Sequence, residues 1–355
     1  MQALAEHFEH TIICCPFTDK QSDSVSTYSL SSIDFISLPN VGGNSLQHKW
    51  KIIKAIPVWI KAFRKAFKQA DIIYLRMPNN LNIPGFFYFN LKKAKTFATY
   101  TGTWKNYQDE PMTYRFQKWL LKKFFKGPVW IYTDEECAKK NFFKNFSPSY
   151  SVEEWYNETD CINKRLNEYK FHSIDKPVFI TVGSLVAYKN QQYILKVCKE
   201  LHEKGFSFHW YVVGDGPLKD EYVEFVENNN LNVCVSITGK KAYNELQELY
   251  RKANFLVQPG LIEGFGKAPV EAMLHGVIPL LSEVPMAKEM TGEGKRGYIF
   301  SVNDTRNLEH LIYKIMSDQK SFGEMIKNGR EYVKEQTLEK WADNYVQAVN
   351  DFFEN

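Results

Sequence analysis

No stretch of this 355-residue sequence supplies the ~18 consecutive apolar residues that a membrane-spanning helix needs, so the chain is not expected to cross a bilayer. The opening MQALAEHFEH carries acids and no apolar core, so it is not expected to be a secretory signal. The six cysteines (Cys14, Cys15, Cys137, Cys161, Cys198 and Cys234) form no C-x-x-C pair, and no Cys/His cluster has zinc spacing. Reduced thiols in a cytoplasmic protein are expected. No G-x-G-x-x-G follows a candidate strand, which argues against a nicotinamide dehydrogenase. There is no internal repeat, no low-complexity tract and no nucleic-acid-binding motif.

What is present fits a globular protein of about two domains. Apolar residues make up 44% and charged residues 24%. The charge is uneven. Residues 1–165 hold 23 basic and 15 acidic side chains, a balance of +8, whereas residues 166–355 hold 22 and 26, a balance of −4. A basic first half points to an anionic partner there.

The second half is the easier to read. Short β-branched or aromatic runs at Val178–Val182, Phe208–Val213, Val235–Thr238, Phe255–Gln258 and Ile278–Ser282 alternate with helical patterns near 190–204, 218–229, 243–252 and 267–275. Strict alternation predicts a parallel sheet covered on both faces, with ligands at the carboxyl ends of its strands. The first half alternates less cleanly. Strands are expected at Thr11–Cys14, Asp34–Leu38, Ile72–Leu75, Thr96–Tyr100 and Val129–Tyr132, with helices over 50–69, 111–125 and 134–143. The sequence is expected to open inside a helix, where a doubly wound domain would start with a strand and a glycine turn. The polar stretch 163–177 is expected to link the two domains, and Leu338–Phe353 has helical spacing.

Three stretches at predicted strand ends carry chemistry. In FITVGSLVAYKN (179–190) a strand ends at Gly183-Ser184 and Lys189 follows before a helix; a glycine admits a phosphate and a lysine supplies a point charge, although a solvated loop lysine would read the same way. In WYVVGDGPLKDE (210–221) a strand runs into Gly214-Asp215-Gly216-Pro217, which reads equally as a simple turn into a helix. In QPGLIEGFGKAPVEAMLHGVIPLL (258–281) Glu263 and Glu271 stand eight apart, with Gly264, Phe265, Gly266 and Lys267 between them. Pro269 suits a first helical turn and Gly276 a helix stop, so a helix starts near Lys267 with its free N–H groups toward the loop. That is an anion site suited to a diphosphate, and carboxylates beside it are acceptors for vicinal hydroxyls.

With these residues in view, the chain resembles the family 4 glycosyltransferases of GT-B architecture. Glu263-Gly-Phe-Gly-Lys-Ala-Pro-Val-Glu271 matches their E-x7-E element, and Gly183 with Lys189-Asn190, Gly214-Asp-Gly-Pro217 and Gly297-Tyr-Ile-Phe300 match in order. The resemblance covers roughly residues 177–350. It implies an α/β fold of two Rossmann-like, doubly wound domains facing across a cleft: residues 1–165 on the acceptor side, 166–337 holding a nucleotide sugar, and a last helix, 338–355, crossing back. It implies transfer with retention from a UDP- or GDP-linked donor, without metal or other cofactor, and the sequence has no D-x-D. By the same resemblance Lys189 neutralises the departing phosphate and Glu263 contacts the donor sugar with the amides of Gly264–Gly266. Gly183, Ser184, Gly214, Gly216, Phe265 and Lys267 line the donor site, and Glu271 binds the ribose hydroxyls. Two positions depart from the family: Ser184 stands where an Arg or Lys is common, and Thr101, near Trp104 on the acceptor side, where a His is common. These departures keep open an alternative, a catalytically impaired scaffold subunit that binds sugar nucleotides.

Residues 49–68, KWKIIKAIPVWIKAFRKAFK, hold seven basic residues and no acid among Trp, Ile and Phe, and RFQKWLLKKFFK (115–126) repeats that character. This composition suits an anionic membrane surface as well as it suits two helices packed on a sheet with solvated lysines outside. A lipid-linked acceptor in surface polysaccharide synthesis at the inner face of the membrane would follow from the family resemblance.

Overall fold

The computed structural model describes residues 2–16, 30–41, 46–107, 110–133, 137, 139–171 and 173–354, apart from the side chains of 46–49, 170 and 171. The chain divides into two compact units, Met1–Asn145 with Glu339–Asn355, and Phe146–Leu338.

In the first unit, β1 (Thr11–Cys15) and β2 (Ile33–Ser37) pair in parallel as a two-stranded sheet. A separate parallel sheet runs in sequence order through β3 (Ile72–Met77), β4 (Lys95–Thr103), β5 (Val129–Tyr132) and β6 (Phe142–Lys144). Alternation along these strands sends Leu75, Ala98, Tyr100 and Ile131 into a core shared with helices Leu46–Phe67, Asn82–Leu91 and Met112–Phe124. The opposite face, with Tyr74, Phe97, Thr99 and Trp130, receives the last helix, Leu338–Glu354. Tyr345 of that helix stacks on Trp130 with ring centroids 4.0 Å apart. A hydrogen-bond relay runs from the Tyr74 hydroxyl to Thr99, on to Tyr345 and then to Asn145, at 3.0, 2.8 and 3.0 Å.

Two expectations fail here. The helix expected over 134–143 ends in a strand: Phe142–Lys144 forms β6 because its backbone continues the β5 ladder, and residues 134–136 and 138 lie outside the described residues. The boundary expected at 165, within a linker 163–177, falls instead at Phe146. Helix Val152–Asn157 starts on a Ser151/Glu154 capping box and is followed by helix Thr159–Phe171. Arg165 then fastens the second helix into its unit, donating to the carbonyls of Ala253, Gly276 and Arg251 at 2.5, 3.1 and 2.6 Å.

The second unit holds a six-stranded parallel sheet made of β7 (Val178–Val182), β8 (His209–Val213), β9 (Val235–Gly239), β10 (Phe255–Gln258), β11 (Ile278–Ser282) and β12 (Tyr298–Phe300), in the order β12-β11-β10-β7-β8-β9. Phe179 and Phe255 face one helix layer and Ile180 and Leu256 the other, so both faces are covered. The chain winds outward from β7 through β8 to β9, then returns beside β7 and winds the other way. Between β7 and β10 the order reverses, and at such a point the loops leave the carboxyl ends of adjacent strands in opposite directions and open a crevice.

Candidate active site

The loops after β7 and β10 meet at that reversal. Gln258, the last residue of β10, donates its amide to the Val182 carbonyl of β7 at 2.8 Å. Beyond it, the Leu261 amide donates to the Tyr188 carbonyl at 2.9 Å and the Asn190 side chain to the Pro259 carbonyl at 3.2 Å. Asn190 takes the left-handed conformation (φ 58°, ψ 33°), which ends the short 3₁₀ turn Ala187–Lys189 and starts helix Gln191–Glu203. The turn presents Lys189, whose Nζ forms an ion pair with Glu263 Oε1. Both side chains remain partly exposed, at 22% and 17%. Ser282, ending β11, donates to the Gly260 carbonyl at 2.6 Å, and a Cβ built on Gly260 would lie 3.3 Å from Glu263 Oε1. Two of the residues picked from sequence, 74 positions apart, are therefore in contact at the sheet's switch point.

Gly183 sits beside them: a Cβ there would lie 3.8 Å from the Lys189 Cδ, in ordinary contact. Ser184 is exposed, and its carbonyl accepts from the buried Gln191 side chain at 3.0 Å. Gly266 precedes helix Lys267–Leu274 with φ 77° and ψ 95°, a region that favours glycine, and Lys267 at the helix start is exposed. The loop therefore leads into a helix N-terminus, where unpaired N–H groups and the helix dipole favour an anion. Phe265 is buried at 4% exposure, so its ring is a packing anchor for this loop and only its backbone remains for a ligand.

Gly214 and Gly216 have a structural reason of their own. A Cβ on Gly214 would lie 1.9 Å from the Gly183 carbonyl oxygen, and one on Gly216 would lie 2.5 Å from that of Leu185. The Leu185 amide donates to the Asp215 carbonyl at 2.9 Å, and the Leu218 amide to the Leu185 carbonyl at 3.2 Å. Close approach of two backbones accounts for both glycines and locks the β8 loop beneath the β7 loop.

Glu271 is half-buried on helix Lys267–Leu274, and the Tyr250 hydroxyl donates to its Oε2 at 3.2 Å. Tyr250, buried at 1% exposure, stacks on His275 with centroids 5.6 Å apart. The His275 Nδ1 lies 2.9 Å from Glu158 Oε2, and Arg251 clamps the same carboxylate. Burial alone would raise the Glu158 carboxyl, but hydrogen bonds from His275 and Arg251 outweigh it and hold the group at about 2. The sequence reading missed this polar chain. Glu158 and His275 stand just past the ends of helices Val152–Asn157 and Lys267–Leu274, and Tyr250 and Arg251 lie on helix Tyr243–Lys252, so no local pattern in the sequence links them.

Thr101 and Trp104 belong to the first unit. The Thr101 hydroxyl donates to the Met77 carbonyl at 3.1 Å, and Trp104 packs against Tyr100 and Phe142 at 5.4 and 5.6 Å between centroids. Both have structural partners there.

The chain is 28% identical over 223 residues to the uncharacterized glycosyltransferase MJ1178 of Methanocaldococcus jannaschii, covering 62% of this chain and 62% of that one. It is 26% identical over 227 residues to the O-antigen chain mannosyltransferase RfbU of Salmonella typhimurium, covering 62% of this chain and 57% of that protein. In each case the match spans less than two thirds of the relative's length. Among solved structures, sucrose-phosphate synthase from Thermosynechococcus elongatus superposes with a TM-score of 0.75 at 19% identity, over 99% of this chain and 91% of that one, which establishes the fold. Residues 165–332, which contain every element of the site at the β7–β10 reversal, match the model of the family of group 1 glycosyl transferases.

Proposed function

We propose that this protein is a retaining glycosyltransferase of the E-x7-E type, family 4, which moves a hexosyl group from a UDP- or GDP-linked donor to a hydroxyl of a sugar or lipid-linked acceptor, without metal or other cofactor. The pathway is surface polysaccharide or glycolipid synthesis, as the name of the Salmonella relative supports. The observation that carries the reading is the Lys189–Glu263 pair at the sheet's reversal, followed directly by a glycine-led helix N-terminus.

In this reading the diphosphate lies against the Lys189 ammonium and the amides before Lys267, which stabilise negative charge as it develops on the leaving group. The bond from the anomeric carbon to the diphosphate oxygen breaks as the acceptor oxygen attacks the same face. The acceptor's proton leaves on the departing phosphate oxygen, so no protein nucleophile is needed. Glu263 accepts hydrogen bonds from the sugar hydroxyls, Glu271 from the ribose, and the backbone of Gly183, Ser184 and Gly264–Gly266 approaches the ligand.

The protein works at the cytoplasmic face of a membrane, attached peripherally through its first unit. No helix among the described residues is long and apolar enough to cross a membrane. Helices Leu46–Phe67, Asn82–Leu91 and Met112–Phe124 contain no carboxylate. They also carry nine of the seventeen exposed large apolar side chains among the described residues, Trp50, Leu91 and Trp119 included. Apolar and basic groups without acids suit anionic lipid headgroups.

A thermal-shift screen against UDP, GDP, ADP and CMP and their sugars, run with and without EDTA, tests the reading. Saturation with one nucleotide diphosphate should raise the midpoint by several degrees, as about 2.7 kcal/mol of linkage at a hundredfold excess over Kd predicts. Absence of any shift, or a shift abolished by EDTA, would overturn the donor assignment or its metal independence respectively.

A further inference from the structure

Glu271 is a long side chain on a helix surface, and among the described residues the Tyr250 hydroxyl is its hydrogen-bond donor. A glutamate without such a donor samples several rotamers and gives up that freedom when it binds a ligand. Here one carboxylate oxygen, Oε2, is held from the protein side, and Oε1 receives no hydrogen bond from the described residues.

The donor is itself fixed. The Tyr250 ring is buried at 1% exposure and lies nearly parallel to His275, at an interplanar angle of 17°. His275 is buried at 1% and in turn meets Glu158, which Arg251, the next residue after Tyr250, also holds. Arg165 donates to the Tyr250 carbonyl at 3.4 Å and to that of Arg251 at 2.6 Å, securing the backbone on which the phenol stands. Burial, with Glu271 alongside, pushes the Tyr250 phenol well above its ordinary range, so it remains a neutral donor at every working pH.

We infer that Tyr250 is a positioning residue for Glu271: its hydroxyl fixes one carboxylate oxygen so that the other is preset to accept the ribose hydroxyls of the nucleotide donor. The inference rests on the reading of Glu271 as the ribose-binding carboxylate. Tyr250 does not touch the ligand, and it acts on recognition of the ribose rather than on departure of the phosphate.

The test separates these roles by comparing ribonucleotides with sugars that lack the recognised hydroxyls. Calorimetric titration with UDP and GDP, and with their 2′,3′-dideoxy counterparts, gives a discrimination ratio for each protein. The wild-type chain should bind its ribonucleotide about 10- to 100-fold tighter than the dideoxy form, as hydrogen bonds to a charged acceptor allow. In Tyr250→Phe, ribonucleotide affinity should fall about three- to tenfold, while dideoxy affinity stays within about twofold of wild type, so that the ratio shrinks. Tyr250→Met, which keeps most of the buried volume and also lacks the hydroxyl, should give the same signature.

A structural role for Tyr250 would weaken both ligands equally and leave the ratio intact. An intact ratio in the folded variants overturns the inference while the ribose reading of Glu271 stands. A wild-type chain that binds both sugars equally overturns the ribose reading, and the inference with it. In transfer assays the expected variant shows a raised donor KM with kcat nearly unchanged, and a fall in kcat at constant KM also overturns the positioning role.

Discussion

Lys189 and Glu263 form an ion pair across the β7 and β10 loops, so the cation proposed to meet the leaving diphosphate is held by a carboxylate in this structure. A bound diphosphate must share or replace that carboxylate. This makes the two residues separable by experiment. Lys189→Ala removes the charge that stabilises the leaving group and should lower both nucleoside diphosphate affinity and turnover, the latter by about two to three orders of magnitude. Glu263→Gln releases Lys189 while removing the sugar contact, so nucleoside diphosphate affinity should hold or rise as turnover falls. Calorimetry with UDP or GDP beside initial-rate assays reads both, and wild-type turnover in Lys189→Ala would remove Lys189 from the chemistry.

The glycines of the β8 loop make a prediction about stability. Added methyl groups at Gly214 and Gly216 would run into the backbone at Gly183 and Leu185, and backbone does not yield as a flexible side chain does. Gly214→Ala and Gly216→Ala should each lose about 3 kcal/mol or more of unfolding free energy. Gly205→Ala is the matched comparison: its φ is +73° and nothing lies within 4 Å of the added atom, so only the backbone cost of about 1 kcal/mol applies. Chemical denaturation of the three variants gives the ranking, and equal losses would show that the close approach does not matter.

The second unit was legible because its strands are buried on both faces and read as short apolar runs, and its loops carry glycines and a capped helix. Phe255–Gln258 and Ile278–Ser282 were placed to the residue. The first unit was less legible. Helix Asn82–Leu91, NIPGFFYFNL, is apolar nearly all round and shows no amphipathic period, and Phe142–Lys144 is a strand only because the β5 edge is there to pair with it. At the site, Lys189, Glu263 and Glu271 could be picked from sequence because each lies in a glycine-marked stretch between a strand and a helix or at that helix's start, in the order of the family's motifs. Tyr250 and His275 could not, since a buried aromatic and a buried histidine signal packing until their partners are seen.

The Glu158 cluster links stability to acid. The folded-state carboxyl is held at about 2, below its ordinary 4.5, so its contribution is complete above the ordinary value and is lost as pH falls toward 2. A shift of that size in a buried carboxylate corresponds to roughly 3 kcal/mol. Glu158→Gln should be destabilised by about that amount at pH 7, with the difference from wild type narrowing below pH ~4.5 and vanishing near pH ~2. Urea midpoints across this range test it, and a destabilisation that does not change with pH would show that packing rather than charge is at stake.

The carboxylate-free helix layer of the first unit sets the last prediction. On helix Met112–Phe124, Phe116 and Trp119 are exposed and stacked on each other at 5.7 Å, and Lys122 and Lys123 are exposed close by in the chain. Aromatic rings at the surface of a bilayer gain by insertion, and lysines beside them gain about 1 kcal/mol each from an anionic leaflet. The protein should therefore co-sediment with phosphatidylglycerol-containing vesicles at low salt, much less with pure phosphatidylcholine, and should be released as salt screens the charges. Phe116→Ser with Trp119→Ser should lower partitioning by about tenfold or more and weaken the binding that survives salt, whereas Lys122→Glu with Lys123→Glu should abolish the preference for anionic lipid. These two signatures differ because one removes area from the bilayer and the other removes charge from its surface. Binding that depended on charge alone, and equally well satisfied by a polyanion in solution, would leave the aromatic pair without a role and reduce the face to a general anion surface.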